Sequence, residues 1–195
     1  DCDSMALEPI SGFAKYFLPL FSKHQNAWLE LRTKSTQIRD LLTMPAMVNG
    51  VVAYSFTPED ISQQLEHKVP SLEKRIEAVV RLQQHGWPVA LRFEPLIFQQ
   101  HMAASYQTLF AKLFQRVSVQ KLHSVSLGLF RMPNDFFNNI VKLYPDEPLF
   151  ARDMVSRGRL TSYPENLEQD MVSLCESELL NYVPKEIYYR CVESQ

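Results

Sequence analysis

The chain has 195 residues, 46% of them hydrophobic and 22% charged, which is enough apolar content for one folded domain with a small appendage. A net charge of -2 and a pI of about 6.2 provide no broad cationic surface for nucleic acid or membrane, so contact with a polyanion requires a local patch. Cys2, Cys175 and Cys191 are too scattered for a disulfide framework, a zinc site or an iron–sulfur site within the chain. No uninterrupted run of about 18 apolar residues marks a membrane span, and no signal-peptide pattern opens the sequence; together these predict a cytoplasmic protein with no membrane contact.

The sequence begins Asp1-Cys2-Asp3-Ser4, with neither an initiator Met nor a leading strand. An α/β domain usually opens with a strand, so the expectation is that an upstream half precedes this chain. Phe13, Phe17, Leu20 and Phe21 recur at helical spacing, predicting a helix over Ile10 to Lys23 that is kinked or shortened at Pro19. A strand over Ala27–Arg32, a turn at Thr33-Lys34-Ser35 and a short helix over Gln37–Leu42 follow. The stretch from Gly50 to Ile97 reads as strand, helix, strand. Val51–Phe56 is apolar enough to be buried on both faces. Thr57 is placed to cap a helix with Pro58 at its first position. A second helix starts at Ser71, with Leu72, Ile76, Val79 and Val80 on its apolar face, and ends at Gly86. Trp87–Phe93 is the next strand, parallel to the first.

Beyond Pro95, a helix from Phe98 to Arg116 carries the stripe Phe98, Met102, Tyr106, Leu109, Phe110, Leu113 and Phe114. A strand over Val125–Phe130 follows, with Arg131 at its end, and then a helix over Asp135–Leu143. Residues 144–159 are irregular and charged and read as a boundary. A helix over Glu165–Tyr182 and a strand over Glu186–Cys191 close the chain. The alternation predicts an α/β fold, either part of a barrel or a small doubly wound sheet, and both bind ligands at the carboxyl ends of parallel strands.

That rule selects Thr33, Lys34, Ser35, Ser55, Thr57, Glu94 and Arg131, with Cys2 to Ser4 if a strand precedes them. Lys34 can hold a carboxylate or phosphate as a point charge, or simply begin a solvated loop. Ser55 can bind a ligand hydroxyl or amine, or be a satisfied buried serine. Arg92 and Glu94 share one strand face and either line a polar cavity or form a structural ion pair. The five histidines are scattered without metal-ligand spacing.

Several of these segments resemble one family. The run YSFTPEDISQQLEHKVPSLEKRIEAVVRLQQHGWPVALRFEPLI is similar to the central region of the spore photoproduct lyases and their radical S-adenosylmethionine, DNA-photolyase-like relatives. It shares with them a strand ending in serine, an acidic stretch, a Pro-Ser helix start leading into Arg-Ile-Glu-Ala, and a Gly-x-Pro strand. ELRTKS is similar to the family strand ending in Thr-Lys, SLGLFRMP to its last barrel strand and LLNYVPKEIYY to its C-terminal strand. The resemblance implies the C-terminal portion of a partial (β/α)6 barrel over residues 1–145, with a helix–strand extension over 146–195. It also implies S-adenosylmethionine held by Ser4, Lys34 and Ser55, with Lys34 on the carboxylate. The strand-end rule, not the resemblance, supplies the candidate substrate contacts Arg92, Glu94 and Arg131. Cys2 matches the cysteine that returns a hydrogen atom to the product radical; a thiol suits that role because its S–H bond is weak. The family's [4Fe-4S] cluster sits in a Cys-x3-Cys-x2-Cys loop that the resemblance places upstream of this chain. Cleavage of S-adenosylmethionine there gives a 5′-deoxyadenosyl radical, which abstracts hydrogen from a thymine dimer in DNA and triggers its reversal.

The expected function is therefore part of a radical lyase repairing thymine-dimer damage, inactive without its upstream segment. The alternatives are a catalytically inactive α/β module that binds a nucleotide or nucleic acid through Lys34, Arg92 and Arg131, and a complete small domain with a protein partner. An open sheet edge near Asp1 predicts self-association.

Overall fold

The computed structural model describes residues 3–24, 26–150 and 153–191. In chain order the elements are α1 (Glu8–Ser11), α2 (Phe13–Phe21), β1 (Leu29–Thr33), β2 (Gly50–Ser55), α3 (Glu59–Leu65), α4 (Leu72–His85), β3 (Val89–Leu96) and α5 (Met102–Phe114). They continue with β4 (Leu122–Leu129), β5 (Arg131–Pro133), α6 (Asn134–Leu143), β6 (Val155–Arg157), β7 (Leu160–Ser162), α7 (Glu165–Leu179) and β8 (Tyr188–Cys191).

Five strands form one wholly parallel sheet in the order β1-β2-β3-β4-β8. Period-2 alternation gives the sheet two different faces. Leu31, Val52, Tyr54, Leu91, Phe93, Val125 and Leu127 join the main core, together with Leu18 of α2, Ile61 of α3, Ile76 and Val79 of α4, Phe110 of α5 and Cys175 of α7. The helical layer therefore covers this face, and each fully buried aliphatic or aromatic side chain contributes roughly 1.5–3 kcal/mol. The opposite face carries Glu30, Arg32, Ser55, Arg92, Glu94, Ser124, Ser126 and Gly128, with only Val51, Ala53 and Ala90 as a small separate apolar patch. This is the α/β partial barrel expected, and its inner face is polar.

The helix expected over residues 10–23 is divided. Gly12, at φ 55°, ends α1 and precedes α2, a backbone state that glycine adopts without steric cost, while Pro19 is accommodated inside α2. Residues 37–42 form only a short 3₁₀ turn at Leu41–Thr43, whose Leu41 carbonyl accepts the buried Trp87 indole N–H at 2.8 Å. Ser71 caps α4 by accepting the Lys74 N–H, and Gly86 follows that helix at φ 97°. Thr57 does not cap α3; Pro58 precedes that helix and the Thr57 hydroxyl donates to Glu66 instead.

The stretch expected to be irregular contains a hairpin. β6 and β7 are joined by a two-residue loop, Gly158-Arg159, with Gly158 at φ 59°. β7 also pairs with β5, giving a second sheet in the order β5-β7-β6. β8 pairs with β4, so the closing helix and strand are joined to the main sheet. Among the described residues no helix is long and apolar enough to cross a membrane. Exposed apolar side chains gather on α1 and α2 (Leu7, Ile10, Tyr16, Leu20) and beside the start of β1 and β2 (Trp28, Val48).

Candidate active site at the carboxyl ends of the strands

The register of the parallel sheet sets the site. Ser55 lies opposite Arg92, Arg92 opposite Ser126, and Ser126 opposite Tyr189, while Gly128 lies opposite Cys191. One row of the inner face thus bears hydroxyls and charges, and the next, nearer the strand ends, brings Glu94 against Gly128 and Cys191. A Cβ on Gly128 would sit 2.7 Å from Glu94 Cγ and 3.2 Å from Cys191 Cβ, so the missing side chain is what admits Glu94 to this position. Glu94 accepts from Arg32 and from the Ser126 hydroxyl. Arg32 also reaches the Ser55 hydroxyl at 3.5 Å.

Residues 3–5 lie beside β1. The Ser4 N–H donates to the Arg32 carbonyl at 2.9 Å. The Asp3 carboxylate accepts the Thr33 hydroxyl at 2.6 Å, the Lys34 N–H at 2.6 Å and the Met5 N–H at 2.9 Å. The structure therefore brings Ser4, Lys34 and Ser55 to adjacent strand ends.

The Lys34 ammonium donates to Glu66 Oε1 at 2.6 Å. Glu66 also accepts the hydroxyls of Thr57 and Ser62, each at 2.6 Å, and pairs with Arg75 at 3.3 Å. Burial alone would raise the Glu66 carboxyl, but the Lys34, Ser62 and Thr57 donors outweigh it and hold the group down at about 2. Arg75 is wholly buried. It donates to the Ser55 carbonyl at 3.0 Å and the Ser62 hydroxyl at 3.1 Å, and lies 5.7 Å from the Phe56 ring centre.

Arg92 and Glu94 share the inner face, as alternation requires, but their partners differ. Arg92 donates to Glu30 at 2.6 and 3.2 Å and to Ser124 at 3.1 Å, and packs 5.4 Å from the Tyr189 ring centre. Burial raises the Glu30 carboxyl, and the Arg92 bond and charge more than reverse it, leaving a lowered pKa. The Arg92 fork is thus engaged below the strand ends, and direct reach to a substrate would require opening this pair.

Arg131 starts β5 and lies 3.8 Å from Cys191 Sγ. Both line a cavity of about 260 Å³ with Arg157, Ser162 and Glu168, where the hairpin meets the end of β8. A larger apolar groove of about 680 Å³, lined by Leu18, Trp28, Met44 and Met47, lies at the amino ends of β1 and β2, away from these groups.

Cys2 lies outside the described residues. Among those described, no group of three or more His, Cys, Asp or Glu is arranged to hold a metal ion. Cys175 is buried in the helical layer, where desolvation pushes its thiol up to about 12, and Cys191 is a free thiol at the end of β8, beside Arg131. Sequence reasoning singled out Asp3 only as part of the segment from Cys2 to Ser4, and missed Arg32, Glu66, Arg75 and Gly128. Arg32 had a signal, since Glu30 and Arg32 alternate in β1 just as Arg92 and Glu94 do in β3. Arg75 had one too, lying three and four residues from Leu72 and Val79 on the buried face of α4. Glu66 had none, because its partners come from four different segments.

The sequence profile of the family described as spore photoproduct lyase matches residues 1–163. The spore photoproduct lyase of Clostridium acetobutylicum is 22% identical over 147 residues, covering 75% of this chain and 44% of that protein. A solved spore photoproduct lyase variant with bound AdoMet and dinucleoside spore photoproduct superposes with a TM-score of 0.82 at 13% identity, covering 98% of this chain and 58% of the other. A second, with dinucleoside spore photoproduct alone, gives 0.83 at 15% identity, covering 96% and 58%. The chain spans about half the length of the relatives it matches. The superposition shows the shared fold, and the profile match over residues 1–163 shows the family: this chain belongs to the spore photoproduct lyase family.

Proposed function

We propose that this chain forms the S-adenosylmethionine- and substrate-facing side of a radical lyase that repairs thymine-dimer lesions in DNA, acting together with the further length its relatives possess. The observation that carries this reading is the polar inner face of the sheet, where Arg32, Ser55, Glu94 and Ser126 converge at the carboxyl ends beside the Lys34 ammonium. The relatives solved with AdoMet and with dinucleoside spore photoproduct support the choice of ligands.

The residues present fit S-adenosylmethionine. Ser55 is buried, and its hydroxyl has one long contact, leaving it able to bond a ligand. Lys34 keeps donors beyond the one it gives Glu66 and is the group for the ligand carboxylate. Ser4, on the far side of β1, completes the set. S-adenosylmethionine supplies the radical chemistry when bound; the chain's own groups bind it, orient it and exclude water. The described residues do not fit a [4Fe-4S] cluster, since they include two separated cysteines, one in the core.

On the substrate side, Glu94 is the acceptor for base N–H groups, held by Arg32 and Ser126, and Arg131 is the phosphate contact at the hairpin cavity. Arg92 contributes by fixing Glu30 beneath them. Cys2, which precedes Asp3 in the sequence, is the hydrogen-atom donor to product.

Calorimetric titration of the chain with S-adenosylmethionine and with dinucleoside spore photoproduct tests this. Both bind in the expected case, and Lys34→Ala weakens S-adenosylmethionine by about tenfold to a hundredfold, the effect of one charge-assisted bond. Binding of neither, or equal binding by Lys34→Ala, overturns the reading. Salt-dependent binding of undamaged DNA with no preference for the lesion points instead to a nucleic-acid-binding module.

A further inference from the structure

We infer that Glu66 is the positioning residue for Lys34, and thereby sets the preference of the site for ligands that carry a carboxylate. The inference rests on the reading of Lys34 given above and adds a residue that acts only through it. Glu66 stands at the end of α3 with its side chain 9% exposed. Both of its oxygens are fully engaged. Oε1 takes Lys34 and Thr57, while Oε2 takes Ser62 and Arg75. Turning the carboxylate away strands the buried donors of Thr57 and Arg75 at once, so its place is fixed.

Its two cationic partners are not equivalent. Arg75 is wholly enclosed, whereas the Lys34 side chain is 28% exposed and is the one a ligand can meet. A lysine carries considerable rotamer entropy on its flexible stem. With one N–H fixed on Glu66, that freedom is already lost before a ligand arrives, and two N–H groups remain directed away from Glu66. Glu66 remains ionised throughout the neutral range.

The test compares S-adenosylhomocysteine with its decarboxylated analogue, which keeps the adenosyl thioether and the amine. The 195-residue chain prefers S-adenosylhomocysteine by about tenfold if Lys34 holds the carboxylate. Glu66→Gln reduces that preference to about the value in Lys34→Ala, and adding Glu66→Gln to Lys34→Ala changes it no further. A merely structural role predicts otherwise, with both ligands weakened equally and the preference intact, and that result overturns the inference. Should Glu66→Gln melt below the assay temperature, Glu66→Asp replaces it, because it keeps the charge against Arg75 but withdraws the carboxylate from Lys34 by one methylene. A wild-type chain that binds neither ligand, or shows no preference, overturns the functional reading as well. A preference abolished by Lys34→Ala yet retained in the Glu66 variants overturns this inference alone.

Discussion

Arg75→Met probes how the ligand-bearing strand ends are held. Arg75 is 0% exposed and joins α4 to the end of β2 through the Ser55 carbonyl at 3.0 Å, the Ser62 hydroxyl at 3.1 Å and Glu66 at 3.3 Å. Methionine fills the aliphatic volume, so the cavity term is small. The Ser55 carbonyl loses a buried donor, which costs about 1–3 kcal/mol. Glu66 loses one cation but keeps Lys34, Thr57 and Ser62, which places the broken ion pair at or below the low end of the roughly 3–5 kcal/mol seen when a buried charge is stranded. The expected total is about 3 kcal/mol, or a fall in Tm of about 6–12 °C for a chain of this size. Urea unfolding at pH 7 measures the first figure and a thermal melt the second. Arg75→Lys, which keeps a charge without the planar fork, falls between the two. A loss below about 1 kcal/mol for Arg75→Met refutes the reasoning, because the buried guanidinium would then be no better than a hydrocarbon at this position.

Glu66 also gives the fold an acid limit. Its carboxyl sits at about 2 instead of the ordinary 4.5, so its contribution is fully present above pH 4.5 and is lost as pH falls from there through 2, worth roughly 3 kcal/mol. Urea titrations across this range should show the loss in wild type and a flatter profile in Glu66→Gln. Gly128→Ala places a Cβ 2.7 Å from Glu94 Cγ. The expected outcome is displacement of Glu94 from Arg32 and Ser126 and a stability loss of about 1–3 kcal/mol, read by unfolding and by loss of dinucleoside spore photoproduct binding. Cys175, with its thiol pushed up to about 12 by burial, should resist iodoacetamide at pH 8 in the native chain and react in urea, as peptide mass mapping will show; labelling in the native state would contradict its place in the core.

Much of the candidate site was legible because strand alternation and the ligand rule for parallel sheets are local and topological. Lys34, Ser55 and Glu94 each follow from being at or near the end of an apolar run. What went unread was every partner. Glu66 contacts residues 4, 9 and 32 positions away in sequence, and nothing near LEHK marks it as the hub. The hairpin over Val155–Ser162 was missed for another reason. Its strands have three residues each, β6 exposed throughout and β7 burying the polar Thr161 and Ser162, so they carry no hydrophobic period.

The sequence by itself determined the parallel α/β alternation, the capped helix from Ser71 to Gly86, and the placement of Arg92 and Glu94 on one face, because each depends on period and on a few neighbouring residues. Only the tertiary structure decided what those charges do. It paired Arg92 with Glu30 and Glu94 with Arg32, and fixed Lys34 on Glu66 above a buried Arg75. A buried or half-buried charge takes its role from the nearest opposite charge, and in a parallel sheet that neighbour comes from a different strand or the far end of a crossover.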